Sequence, residues 1–106
     1  MSSLIKQLHS RKIDHSKVHF DGGHINERAK ERNFTKKWII DTVFNEKMLF
    51  YCPGNREGSF ETYYHAPDHI AEPFVRIVFF ENEGQLYAGT IYSRREVPYW
   101  KRKYSK

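Results

Sequence analysis

A single cysteine, Cys52, stands among 106 residues, so no disulfide can close within the chain, and a small secreted fold held by cystine pairs is excluded. A reducing, cytoplasmic location is the expectation, with Cys52 packed as a small apolar side chain. Long apolar runs are missing as well. No stretch approaches the ~20 residues a membrane-spanning helix needs, and Met1 to Arg11 lacks the apolar core of a secretory leader, so no membrane partner is expected. Glycine-rich phosphate loops, CxxC pairs and HExxH are all absent, which argues against nucleotide-driven chemistry and against zinc. His15 with His19 and His65 with His69 are spaced by four, but neither pair has the rest of a ligand set, and Pro67 interrupts the second. No metal and no other cofactor is expected.

What is present is aromatic and unevenly charged. Eight Phe, seven Tyr and two Trp suit strands with large flat side chains, or a surface on which something stacks. Residues 1–37 carry nine Lys/Arg against four Asp/Glu, residues 38–93 three against eight, and residues 94–106 six against one. Two basic ends therefore flank an acidic middle. If the ends meet in space they form a site for a polyanion, because clustered cations gain affinity for phosphates by releasing counterions. If they do not, they serve only solubility.

Local signals divide the chain into helices followed by strands. Ser3 can cap a short helix through Leu4, Ile5 and Leu8, and Ser10 to Lys17 reads as a loop or arm. Val18-His19-Phe20 is a short extended piece ahead of the turn Asp21-Gly22-Gly23. A helix from Gly23 or His24 to Arg32 ends at Asn33, which suits a left-handed position, and Thr35 caps a second helix ending near Glu46. Trp38, Ile39, Ile40, Val43 and Phe44 give that helix a broad apolar face. Strands follow at Met48 to Cys52, Phe60 to His65, Phe74 to Phe80 and Gln85 to Ser93, with Asn82-Glu83-Gly84 as hairpin chemistry and Gly84 supplying the positive φ of a short loop with a bulge. Pro98 argues against further central strand. The architecture expected is α+β, an N-terminal helical hairpin on one face of a four-stranded antiparallel sheet, with the opposite face at least partly open. That open face is where a site belongs.

His24, Arg28 and Arg32 are spaced by four and line one side of their helix. An imidazole beside two permanent cations has the ingredients of RNA cleavage: a group for the 2′-hydroxyl proton and charge for the phosphorane-like transition state. The competing structural reading pairs Arg28 and Arg32 with Glu27 and Glu31 on the helix surface. On the strands, Tyr63 shares a face with His65, and strict alternation sends Leu86, Ala88, Thr90 and Tyr92 to one face and Tyr87, Gly89, Ile91 and Ser93 to the other. Tyrosines on an open sheet can stack on bases and a histidine beside them can move protons, although each tyrosine taken alone also fits rim packing.

The run His24-Ile-Asn-Glu-Arg28-Ala-Lys-Glu-Arg32-Asn-Phe34-Thr resembles the opening motif of the DUF4258 family, in which arginines follow a histidine by four and eight residues. Phe74-Val-Arg-Ile-Val-Phe-Phe resembles that family's apolar strand, and Thr90-Ile-Tyr92 its threonine-x-tyrosine strand end. The resemblance spans residues 18–95 and leaves 1–17 as an N-terminal helix and arm and 96–106 as a basic tail. Asn33 stands where the family commonly has glycine. The family is similar to the barnase–EndoU–colicin–RelE (BECR) group, which includes metal-independent ribonucleases and toxins with antitoxin partners. The resemblance implies a RelE-like fold and a metal-independent endoribonuclease, toxin-like and able to take an acidic inhibitor protein. His24, Arg28, Arg32 and Tyr92 are its candidate catalytic residues, and His65 is added from the strands. A non-catalytic nucleic-acid-binding or protein-interaction domain is the alternative, using Arg94, Arg95, Lys101, Arg102 and Lys103 to bind RNA or another nucleic acid.

Overall fold

The computed structural model describes residues 3–100. Helix α1 (Ser3–His9) turns Leu4, Ile5 and Leu8 inward, and after a 3₁₀ turn (His15–Lys17) the chain forms strand β1 (Val18–His19). Helix α2 (Gly23–Glu31) buries Ile25 and Ala29. It ends as expected, with Asn33 at φ 65° and the Phe34 amide bonded back to the Ala29 carbonyl at 2.8 Å, a closure that needs a left-handed residue after the last turn. Helix α3 (Lys36–Asn45) starts at Thr35, whose hydroxyl accepts from the Trp38 amide at 3.0 Å. Strands β2 (Phe50–Pro53), β3 (Ser59–His65), β4 (Phe74–Asn82) and β5 (Gln85–Arg94) complete the fold.

The result is α+β, with three helices packed on a five-stranded mixed sheet in the order β1-β5-β4-β3-β2. The three pairings between neighbours from β2 to β5 are antiparallel, as expected. The sheet is not four-stranded, because Val18 and His19 pair in parallel with Leu86 and Tyr87 and cap part of the β5 edge that would otherwise stay open. Residues 3–17 are no detached arm: Leu4, Ile5, Leu8 and Ile13 join Ile25, Ile39, Val43, Val75, Ile77 and Phe79 in one core.

The β4–β5 hairpin corrects a second expectation. Asn82 pairs with Gln85, leaving a two-residue loop in which both Glu83 (φ 51°) and Gly84 (φ 75°) are left-handed, so the loop itself holds no bulge. The bulge lies inside β5, where Val78 opposes Thr90 but Phe79 opposes Ala88, and Gly89 is the extra residue. The Phe80 ring fills the space a Cβ at Gly89 would need. One extra residue inverts every later position. Ile91 therefore joins Leu86 and Ala88 in the core, while Thr90 and Tyr92 turn to the Tyr87 side, the reverse of strict alternation.

The helix-free face is covered only at one end. Val97 packs there with Phe50, Cys52 and Tyr63, Pro98 is buried beside it, and Tyr99 meets Phe50 edge-on at 5.6 Å. What reads in sequence as a free basic tail thus begins as a strap across the sheet. Its cations Lys101, Arg102 and Lys103 lie outside the described residues.

Candidate functional site

Because β1 is two residues long, the outer edge of β5 is unpaired beyond Tyr87, and α2 runs along it. Eight residues of helix advance about 12 Å and four residues of strand about 13 Å, so the row His24, Arg28, Arg32 keeps step with Ala88 to Tyr92. Arg32 closes the open edge, its Nη1 donating to the Ile91 carbonyl at 3.1 Å. His24 and Arg28 are exposed and line a groove of about 590 Å³ whose floor is the open face of the sheet.

The sheet supplies Thr90 and Tyr92 from β5, Arg76 from β4 and Glu61 from β3, with Arg56 on the loop opposite. Tyr92 is clamped: the Arg32 guanidinium lies 4.4 Å from its ring centroid and that of Arg76 4.7 Å. One cation comes from α2 and the other from β4, the strand paired with β5. Arg76 in turn is held 3.8 Å from Glu61, a buried carboxylate that also accepts from the Tyr63 hydroxyl at 2.9 Å. Burial, reinforced by that bond to Glu61, pushes the Tyr63 phenol up to about 12.

Two polar atoms at the groove floor, Thr90 Oγ1 and Arg76 Nε, are buried and have no hydrogen-bond partner among the described residues. Leaving such groups unmade costs roughly 1–3 kcal/mol each. A ligand bearing acceptor oxygens would satisfy both. Around them stand Arg28, Arg56 and Arg76 with His24, against one acid, Glu61, which is already engaged. Arg28 does form the surface pair of the structural reading, 3.1 Å from Glu31, but both groups are about half exposed and such pairs are worth little to hold. Arg32 makes no such ion pair among the described residues. It serves the edge and the ring instead.

His24, Arg28 and Tyr92 thus line one groove, and Arg32 touches it through Tyr92. His65 does not join them. It is on the same face but four residues beyond Glu61, about 13 Å along the strand, with its ring tilted over Phe74 at 5.8 Å. Arg94 lines a smaller pocket next to the groove, and Arg95 a separate polar patch with Glu72 and Glu96. The other histidines have structural company: His9 lies against Tyr51 at 5.0 Å, His15 stacks on Phe44 at 3.8 Å, His19 bonds Gln85 at 2.6 Å, and His69 bonds the Asn33 carbonyl at 2.7 Å. Among the described residues no group of three His, Cys, Asp or Glu is placed to hold a metal ion, and no helix is long and apolar enough to cross a membrane.

Sequence reasoning passed over Arg56, Arg76 and Glu61. Arg76 had a signal, as the lone charge in the apolar run Phe74 to Phe80, whose pleat sends it opposite Val75 and Ile77. Arg56, in a turn with no periodicity, had none. No protein-family model, curated protein or solved structure matches this chain.

Proposed function

We propose that this protein is a small RNA endonuclease working without metal, with the groove between α2 and the open sheet face as its active site. The observation that carries the reading is the convergence on a single concave surface of one imidazole, three guanidiniums, one of them with its Nε buried and unpartnered, and the buried, unpartnered Thr90 hydroxyl. A phosphodiester in single-stranded RNA matches that set of donors and cations.

In this mechanism the His24 imidazole takes the proton of a ribose 2′-hydroxyl. The freed oxygen attacks the adjacent phosphorus, the bond to the 5′-oxygen breaks, and that oxygen takes a proton from the Tyr92 hydroxyl. The products are a 2′,3′-cyclic phosphate and a 5′-hydroxyl, and water returns the proton from His24 to Tyr92. Arg28 and Arg76 hold the non-bridging oxygens while negative charge builds on them, and Thr90 Oγ1 donates to one of the same oxygens. The cations over the Tyr92 ring stabilise the phenolate left after its proton departs. Arg32 therefore positions Tyr92, and Arg76 takes the phosphate-binding role first assigned to Arg32.

The helical hairpin, the mostly antiparallel sheet and the Thr90-Ile-Tyr92 strand end are what supports reading the fold as RelE-like and toxin-like. An acidic inhibitor protein would neutralise the enzyme by covering this basic groove. One observation favours the alternative of a binding domain without catalysis: with His65 outside, the groove holds a single imidazole. The two readings separate on cleavage of mixed-sequence RNA in EDTA. The enzyme reading predicts cyclic-phosphate ends and, since a positioned acid or base contributes about 10²–10⁴-fold, a drop of at least about 100-fold in a folded His24→Ala variant. Wild-type RNA binding without cleavage would overturn it in favour of the binding domain.

A further inference from the structure

A second, smaller pocket of about 230 Å³ opens beside the groove and shares Asn55, Glu61 and Arg76 with it. Its outer wall is the strap: Val97 and Pro98 anchor it, and Trp100 lines the pocket with 72% of its surface exposed. No other large apolar side chain among the described residues is so exposed; Tyr99 and Tyr87 follow at 45% and 41%. An indole standing in water beside a cationic groove offers a flat apolar face on which a base can stack.

Resting on the RNA reading above, we propose that this pocket is a nucleobase subsite, in which one unpaired base of the bound strand stacks on Trp100. Three features select a base over other occupants. The pocket is continuous with the groove that takes the phosphate, so a base attached to that backbone reaches it without a second binding event. Its volume exceeds the roughly 150 Å³ that accepts a benzene ring, yet it is too small for a folded segment. Arg76 and Arg94 stand at its margins, so the phosphates on either side of the base meet cations, while Glu61 is occupied by Tyr63 and Glu96 lies at the exposed rim. A base in a duplex is already stacked and paired, so the subsite selects single strands.

The test uses the full chain and a short single-stranded 2′-O-methyl RNA, which binds but cannot be cut at the 2′ position. Trp38 is replaced by Phe so that Trp100 is the only indole reporting. Saturating single strand should quench and blue-shift the Trp100 emission, and the same strand annealed in a duplex should leave it unchanged. Trp100→Ala should weaken single-strand binding by about 5- to 150-fold and duplex binding by less than twofold, with Trp100→Phe recovering part of the loss. Tight binding of the single strand by fluorescence anisotropy with no change in Trp100 emission would overturn the subsite and leave the RNA reading standing. No RNA binding by wild type would overturn both.

Discussion

The groove depends on the bulge at Gly89, and that dependence can be measured through two adjacent residues. Ile91 is fully buried, and Ile91→Ala removes three carbons, worth about 2.4 kcal/mol at ~0.8 kcal/mol each. The cavity left in a sheet core adds to this and places the total at about 3–4 kcal/mol. Thr90→Val replaces a buried hydroxyl that has no partner among the described residues with a methyl of the same shape, so it should be neutral or stabilise by up to about 1 kcal/mol. Equilibrium urea unfolding reads both. For a domain of this size the Ile91→Ala midpoint should fall by roughly 1–3 M, with the Thr90→Val midpoint unchanged or higher. Strict alternation would put Ile91 on the open face, where its truncation costs little. An Ile91→Ala loss under about 1 kcal/mol would refute the bulge and with it the placement of Thr90 and Tyr92 in the groove.

Other perturbations test the parts separately. Tyr63 has its folded-state pKa raised to about 12, so the stability it contributes is present below about pH 10 and is lost as pH rises toward 12; thermal unfolding should show that loss, and Tyr63→Phe should reduce it, the rest coming from Tyr51 and Tyr64, whose phenols burial also pushes up. Asn33 is at φ 65°, so Asn33→Gly should hold or raise the melting temperature, while Asn33→Val should cost about 1–2 kcal/mol. Thr35→Ala removes the cap on the Trp38 amide and should cost about 1 kcal/mol by the same melts, against no change for Thr35→Ser. Arg32→Ala removes one of the two cations over the Tyr92 ring and should depress cleavage while leaving RNA affinity nearly intact, whereas Arg76→Ala should weaken both.

Local chemistry made the helices legible. Asn33 and Thr35 are residues whose side chains or backbone preferences act on their own neighbours, so the helix boundaries follow from a few positions. The same holds for Phe74 to Phe80, whose apolar run can only be a covered strand. The row of His24, Arg28 and Arg32 was legible as a row because helical geometry is regular. What it faced was not, since that depends on β1 stopping after two residues and leaving the β5 edge to α2. The bulge was hidden for a similar reason: Gly89 reads as an ordinary strand glycine until the Phe80 ring is seen against it. His65 shows the converse, because sharing a face says nothing about distance along a strand. Arg56 and Trp100 reached their pockets through a turn and a strap, where no periodicity links sequence position to direction.

The central claim is that the α2 row and the open sheet face form one RNA site, and amide and side-chain NMR shifts on titration with uncleavable single-stranded RNA test it most directly. The account predicts that the signals of His24, Arg28, Arg76, Gly89, Thr90 and Tyr92 move together along one binding curve, while α1 and α3 remain still. Saturating RNA that shifts α1 or α3 and leaves the groove residues unmoved would contradict it.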